Sequence, residues 1–150
     1  MKIRTEIVDC EADEIVIRCR ERNGRVMALE AAIEDAIRTR GDMALYIAGT
    51  EYYVRKEDIL FFESSANKVY AHTALGMFTA PYKLFELEAI MPSSFVRVSK
   101  SVIVNVLMIS SLKRELTGNG ELTFKGSNKK TYFSRGYCKL LRNKIEETRF

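Results

Sequence analysis

From residue 43 onward, apolar and polar residues mostly alternate with a period of two, in short stretches broken by Gly, Asn and Ser. That period places alternate side chains on opposite faces and predicts strands. Ala44–Ala48 and Tyr52–Val54 flank Gly49-Thr50-Glu51 as a hairpin, and Ile59–Ser64, which opens on the apolar run Ile59–Phe62, reads as a buried strand. Lys68–Thr73 and Met77–Ala80 make a second hairpin around Leu75-Gly76. Phe95–Val98, Val102–Val104 and Met108–Leu112 follow, the last running through Leu116 to the turn Gly118-Asn119-Gly120. Glu121–Phe124 and Thr131–Ser134 close another hairpin around Gly126-Ser127-Asn128. The period lengthens twice. After Pro81, Leu84, Leu87 and Ile90 predict a short helix that ends by Pro92, and Tyr137, Leu140, Leu141 and Ile145 predict a helix over Gly136–Glu147.

The first 42 residues follow a different pattern. Lys2–Val8 and Glu14–Cys19 alternate weakly and read as two strands, and Asn23-Gly24 is a turn or cap. Val26, Leu29, Ile33 and Ile37 then recur at helical spacing, with Gly41 as the C-terminal cap. This β-β-α extension is too small to bury a core alone, so it must pack on the rest of the chain or on a second copy. The expected fold class is α+β, mainly β and antiparallel, with the extension at 1–42 and one domain at 43–150.

Composition adds little until it is read by position. The chain is 47% hydrophobic and 29% charged, which describes an ordinary globular protein, with a net charge of +4. Residues 1–42 carry 8 basic and 10 acidic side chains, whereas residues 97–144 carry 11 basic and only Glu115 and Glu121 as acidic ones. So concentrated a positive stretch points either to an anionic partner, nucleic acid first, or to a solvated basic surface.

Several function classes find no support. Apolar runs such as Ile59–Phe62 fall far short of the ~18 residues that span a bilayer. The charged start (Lys2, Arg4, Glu6, Asp9) is no signal peptide, so a cytoplasmic protein without membrane insertion is expected. Cys10, Cys19 and Cys138 form no CxxC pair and read as reduced, buried thiols. A single histidine, His72, leaves metal sites poorly supplied, and no phosphate-cradling or nucleophile motif occurs, so neither enzyme chemistry nor a cofactor or metal is expected. His72 lies in an alternating segment and reads as a strand-face residue.

Four segments carry a more specific signal. Glu57-Asp58-Ile59-Leu60-Phe61-Phe62-Glu63-Ser64, Thr79–Ile90, Phe95–Asn105 (FVRVSKSVIVN) and Tyr132-Phe133-Ser134-Arg135-Gly136-Tyr137 together resemble the LytTR DNA-binding domain, in its order and spacing, over about 43–148. The resemblance implies an elongated antiparallel β fold that reads successive major grooves of duplex DNA through loops. It also implies a dimer on repeated half-sites that regulates transcription. There are two departures. Ser99-Lys100-Ser101 stands where the family usually has a His-Arg-Ser type of triplet, so the positive charge stays but bidentate pairing with guanine is lost. The 42 residues ahead of the domain are also too few for the phosphoacceptor receiver domain often found there, so phosphorylation control by that route is not expected.

Roles follow residue by residue. The resemblance puts Arg135, with Ser134 before it, in a DNA-facing loop, where an arginine reaches guanine O6 and N7 bidentately; a salt bridge to Glu146 or Glu147 is the alternative. Lys100, Ser99 and Ser101 suit phosphate contacts, or a solvated turn. Asn67, beside Lys68, either reads adenine or holds a left-handed turn position. Arg97, Lys139 and Lys113 supply backbone field or are solvated charges. Asn105 caps its turn, and Phe61, Phe62, Phe95 and Tyr132 read as core rather than base-stacking residues. The 1–42 segment most simply dimerises. The rival reading is an interaction module of the same fold, bound to a regulatory protein through 1–42 and without DNA.

Overall fold

The structure, a computed structural model, describes residues 4–9, 14–39 and 41–149. The helix of the extension, α1 (Gly24–Thr39), forms as the spacing predicts. Asn23 caps it, its Oδ1 accepting the Val26 N–H at 3.1 Å, and Gly41 follows at φ +87°. The two strands expected before it do not form. Among the described residues, 4–9 and 14–19 join no strand ladder, so the part of Lys2–Val8 that is described and the whole of Glu14–Cys19 correct the β-β-α expectation. The physical reason is the lack of a ladder partner, since period-two patterning selects a face but supplies no neighbour. The rest of that prediction, at residues 2 and 3, lies outside the described residues.

Ten strands and two further helices follow. They are β1 (Asp42–Ile47), β2 (Thr50–Arg55), β3 (Ile59–Ser65), β4 (Lys68–Thr73), β5 (Met77–Ala80), α2 (Leu84–Ile90), β6 (Phe95–Ser99), β7 (Val102–Asn105), β8 (Ile109–Arg114), β9 (Gly120–Phe124), β10 (Lys130–Phe133) and α3 (Cys138–Arg149). All ladders are antiparallel, in a seven-stranded sheet of order β2-β1-β5-β4-β3-β7-β6 and a three-stranded sheet of order β10-β9-β8. The fold is therefore α+β and mainly β, as expected. Pro81 precedes α2 rather than opening it; the helix is closed at its start by the Lys83 N–H donating to Glu86 Oε1 at 3.0 Å. The final helix begins later than expected, after a tight turn at Arg135–Tyr137.

Two apolar layers hold the sheets. One lies under α2 and gathers Met43, Leu45, Ile59, Phe62, Ala71, Leu84, Leu87 and Ile103. The other lies between the large sheet, the small sheet and α3, and gathers Leu60, Phe61, Val98, Val104, Leu122, Phe124, Phe133 and Leu141. A register shift in β3 between Ile59 and Phe61 lets consecutive Leu60 and Phe61 face the same layer, while Ile59 and Phe62 face the other. Each such side chain, fully buried, contributes about 1.5–3 kcal/mol. Asn105 ties β7 to β3, its Nδ2 donating to the Ile59 carbonyl and its Oδ1 accepting the Leu107 N–H, which is the capping role expected of it. Some expected core positions are outside. Tyr132 and Leu140 are exposed because β10 is the edge of a small sheet and Leu140 falls off the buried stripe of α3. Cys138 is buried as expected, whereas Cys19 is exposed beside the unpaired segment, and Cys10 lies outside the described residues.

Candidate nucleic-acid interface

Three turns converge at one end of the sheets. The β3–β4 turn is closed by the Ser65–Lys68 pair, with Ala66 at φ +50° and Asn67 at φ +62°. Two successive positive φ values twist a two-residue turn to match its strands, so Asn67 does hold a left-handed position, with its side chain left exposed. The β6–β7 turn lies beside it, because the Ser64 N–H donates to the Ser101 carbonyl at 2.8 Å. The third element, the β10–α3 junction, lies against β6, because the Ser134 N–H donates to the Val98 carbonyl at 2.9 Å. Asn67, Lys68, Ser99, Lys100, Ser101, Ser134 and Arg135 are thereby brought to one end of the molecule, and Lys139 sits in the first turn of α3 just beyond.

The charges there do different work. Arg97 is spent on shaping the β6–β7 turn: Nε donates to the Ser99 carbonyl at 2.9 Å, Nη2 to the Lys100 carbonyl at 2.6 Å and Nη1 to Glu88 at 2.8 Å. The Ser101 N–H also donates to Ser99 Oγ at 3.2 Å, which tightens the same turn. Among the described residues, the side chains of Lys68, Lys100, Arg135 and Lys139 have no carboxylate partner. The salt bridge expected as the alternative for Arg135 is not made, and Glu147 pairs instead with Lys144 at 3.2 Å.

Sequence reasoning missed two residues that touch Arg135. The Arg135 N–H donates to Asn119 Oδ1 at 2.8 Å, and the Arg135 stem lies on Gly118. The Gly-Asn-Gly turn is plain in the sequence, but its place beside Arg135 depends on the pairing of β8, β9 and β10. Glu88, which anchors Arg97 from α2, gave no signal at all.

Not every lysine of the basic stretch faces outward. Lys129 turns in between the sheets, donating to the Gly76 carbonyl at 2.6 Å and lying 3.3 Å from His72 Nδ1. His72 Nε2 lies 2.6 Å from Glu63, and its ring stacks on Phe61 with centroids 4.2 Å apart. With Lys129 donating to Nδ1, the neutral ring carries its proton on Nε2 and donates to Glu63. Burial holds the His72 pKa below its usual value, with the Glu63 hydrogen bond pulling the other way, and burial likewise lowers that of Lys129. His72 is thus a hydrogen-bonded strand residue between sheets. Among the described residues there is no cluster of side chains that could hold a metal, and no helix is long and apolar enough to cross a membrane.

An antiparallel β fold that gathers cations without carboxylate partners on strand-joining turns is the kind of surface that suits an anionic partner, nucleic acid among them. The family model of the LytTr DNA-binding domain matches residues 50–146, and the chain belongs to that family. Its fold is also that of the LytTr DNA-binding domain of a Bacillus cereus protein described as a methyl-accepting/DNA response regulator. There the TM-score is 0.65 at 22% identity, over 71% of this chain and 97% of that one. Over 146 residues the chain is 28% identical to an uncharacterized HTH-type transcriptional regulator of Staphylococcus aureus strain NCTC 8325, covering 97% of this chain and 98% of the relative. The counterpart in strain COL matches equally well. DNA binding and transcriptional regulation are therefore the function of this chain, and the family is in general not enzymatic. The helix-turn-helix of the relatives' names has no counterpart among the described residues, because five strands separate α1 from α2 and five more separate α2 from α3.

Proposed function

We propose that the chain binds duplex DNA as a homodimer on repeated half-sites and regulates transcription in the cytoplasm. The three turns enter successive major grooves. Arg135 reads guanine, Asn67 is placed to reach a base edge, and Lys100, Lys68, Ser99, Ser101, Ser134 and Lys139 contact phosphate. Arg97 acts from beneath, holding the β6–β7 turn in shape. The observation that carries this reading is the convergence of the β3–β4, β6–β7 and β10–α3 turns, with Lys68, Lys100, Arg135 and Lys139 free of carboxylates among the described residues.

The segment before β1 serves the dimer or receives a regulatory signal. Support comes from an open groove of about 460 Å³ where Ile15 and Ile17 lie along Ile33 and Ile37 of α1, bordered by Glu14, Glu30 and Glu34, with Val16, Met27 and Ile37 exposed. The same groove suits a protein partner, and a chain that bound no duplex at any salt concentration would belong to that second reading.

The deciding experiment is selection of bound sequences from a random duplex pool, followed by affinity titration. A recurring pair of motifs spaced by about one helical turn, 10–10.5 base pairs, is expected. Arg135→Ala should cost about 1–3 kcal/mol of specific affinity and relax preference at one base pair. A pool that returns no motif would overturn the proposal.

A further inference from the structure

We infer that the β8–β9 turn, residues 115–119, aims Arg135, with Gly118 and Asn119 as positioning residues for base reading. This rests on the role given to Arg135 above. The turn is rigid in its own right: the Glu115 N–H donates to the Asn119 carbonyl at 2.9 Å, and the Gly118 N–H donates to the Glu115 carbonyl at 3.0 Å. Onto this frame Arg135 is fixed twice. Its backbone N–H is held by Asn119 Oδ1 at 2.8 Å, which sets where the side chain leaves the β10–α3 junction. Its stem then crosses Gly118, where a Cβ atom would sit 2.6 Å from both Cγ and Cδ and 3.2 Å from Cβ. Gly118 is buried, at φ +88°, a backbone region open to glycine but strained for other residues. Only glycine provides both that turn and a flat surface for the stem.

The energetic logic is preorganisation. An arginine on an exposed junction loses rotamer freedom when it docks, and a surface that already confines its first carbons removes part of that loss before DNA arrives. The guanidinium, beyond the stem, stays free of carboxylates and available to a base edge. The turn thus governs specificity without touching a base.

The test is a double-mutant cycle on the full chain, using the selected duplex and the same duplex changed at the base pair assigned to Arg135. Gly118→Ala and Asn119→Ala should each weaken binding to the selected duplex about tenfold. Binding to the changed duplex should stay within about twofold, and the salt slope should equal that of the wild type. In an Arg135→Ala background, the same two substitutions should add less than about a further twofold. A tenfold loss that persists in that background would overturn the inference, as would unchanged affinity in both turn variants. Gly118→Ala also strains the backbone, so if its melting temperature falls, Asn119→Ala, which keeps the glycine, decides. Arg135→Ala binding as tightly as the wild type would instead overturn the role of Arg135 itself, a result visible before either turn residue is changed.

Discussion

Arg97 of β6 and Lys100 of the turn that follows sit three residues apart, yet they differ in what they offer a partner. Arg97 has its donors committed to two carbonyls and Glu88, whereas Lys100 gives up only its backbone carbonyl and leaves its ammonium in solvent. Lys100→Ala should therefore weaken binding to all sequences alike and flatten the dependence of log K on log salt by about one unit, because one fewer counterion is released. An unchanged slope in a salt titration would rule out a phosphate contact there. His72 supports a prediction about pH. Its folded pKa lies below the usual value of about 6.5, burial outweighing the hydrogen bond His72 donates to Glu63, with the Lys129 ammonium also opposing a second positive charge. The unfolded chain then takes up the proton first, so stability is full above about pH 6.5 and falls as the pH drops below it. His72→Gln should lose less melting temperature than the wild type between pH 7 and pH 5. Parallel profiles for the two proteins would refute this.

At the scale of elements, the turns store the most tension. Ala48 at φ +47° precedes Gly49 at φ +82° in the β1–β2 hairpin, and Ala66 at φ +50° precedes Asn67 in the β3–β4 hairpin. Alanine tolerates that region poorly, and Asn-Gly is the pair such turns favour. Ala48→Asn should raise stability by about 0.5–1 kcal/mol without changing DNA affinity, since that hairpin points away from the three converging turns; denaturant unfolding and a binding titration check both halves. Most strands were readable from the sequence because a strand with one buried face must alternate, and β3 was readable because it must not. Segments 4–9 and 14–19 misled for the converse reason: their alternation is real, but among the described residues no strand pairs with them, and Ile15 and Ile17 lie along α1 instead. The seat of Arg135 was hidden because Gly118 and Arg135 meet only once β8, β9 and β10 have paired in register, Arg114 and Phe133 both opposite Gly120. The strand pattern located the loops at Asn67-Lys68 and Ser99–Ser101, the resemblance put Arg135 in a third, and the fold adds that they share one end of the molecule.

At the scale of the whole molecule, the two apolar layers are not independent halves. β3 sends Ile59 and Phe62 into one and Leu60 and Phe61 into the other, and it pairs with β4 on one side and β7 on the other. Phe61 further stacks on Phe124 of the small sheet with centroids 5.2 Å apart. Because β3 is common to both layers, residues 42–149 should unfold in one cooperative transition, with equal calorimetric and van't Hoff enthalpies. Two separate heat-absorption peaks from β1 onward would contradict that. α1 stands apart, tied by the Ser93 N–H donating to Asp35 at 2.7 Å and by Lys56 donating to the Arg38 carbonyl at 2.7 Å. Its amides should exchange with deuterium long before those of β3. The strand common to both layers has a consequence for how occupancy of the turns is felt elsewhere. Duplex that stabilises the folded state must slow deuterium uptake at every amide that opens only with the whole molecule. Leu45 of β1, five strands away from β6, should therefore report on DNA as faithfully as the turns that hold it.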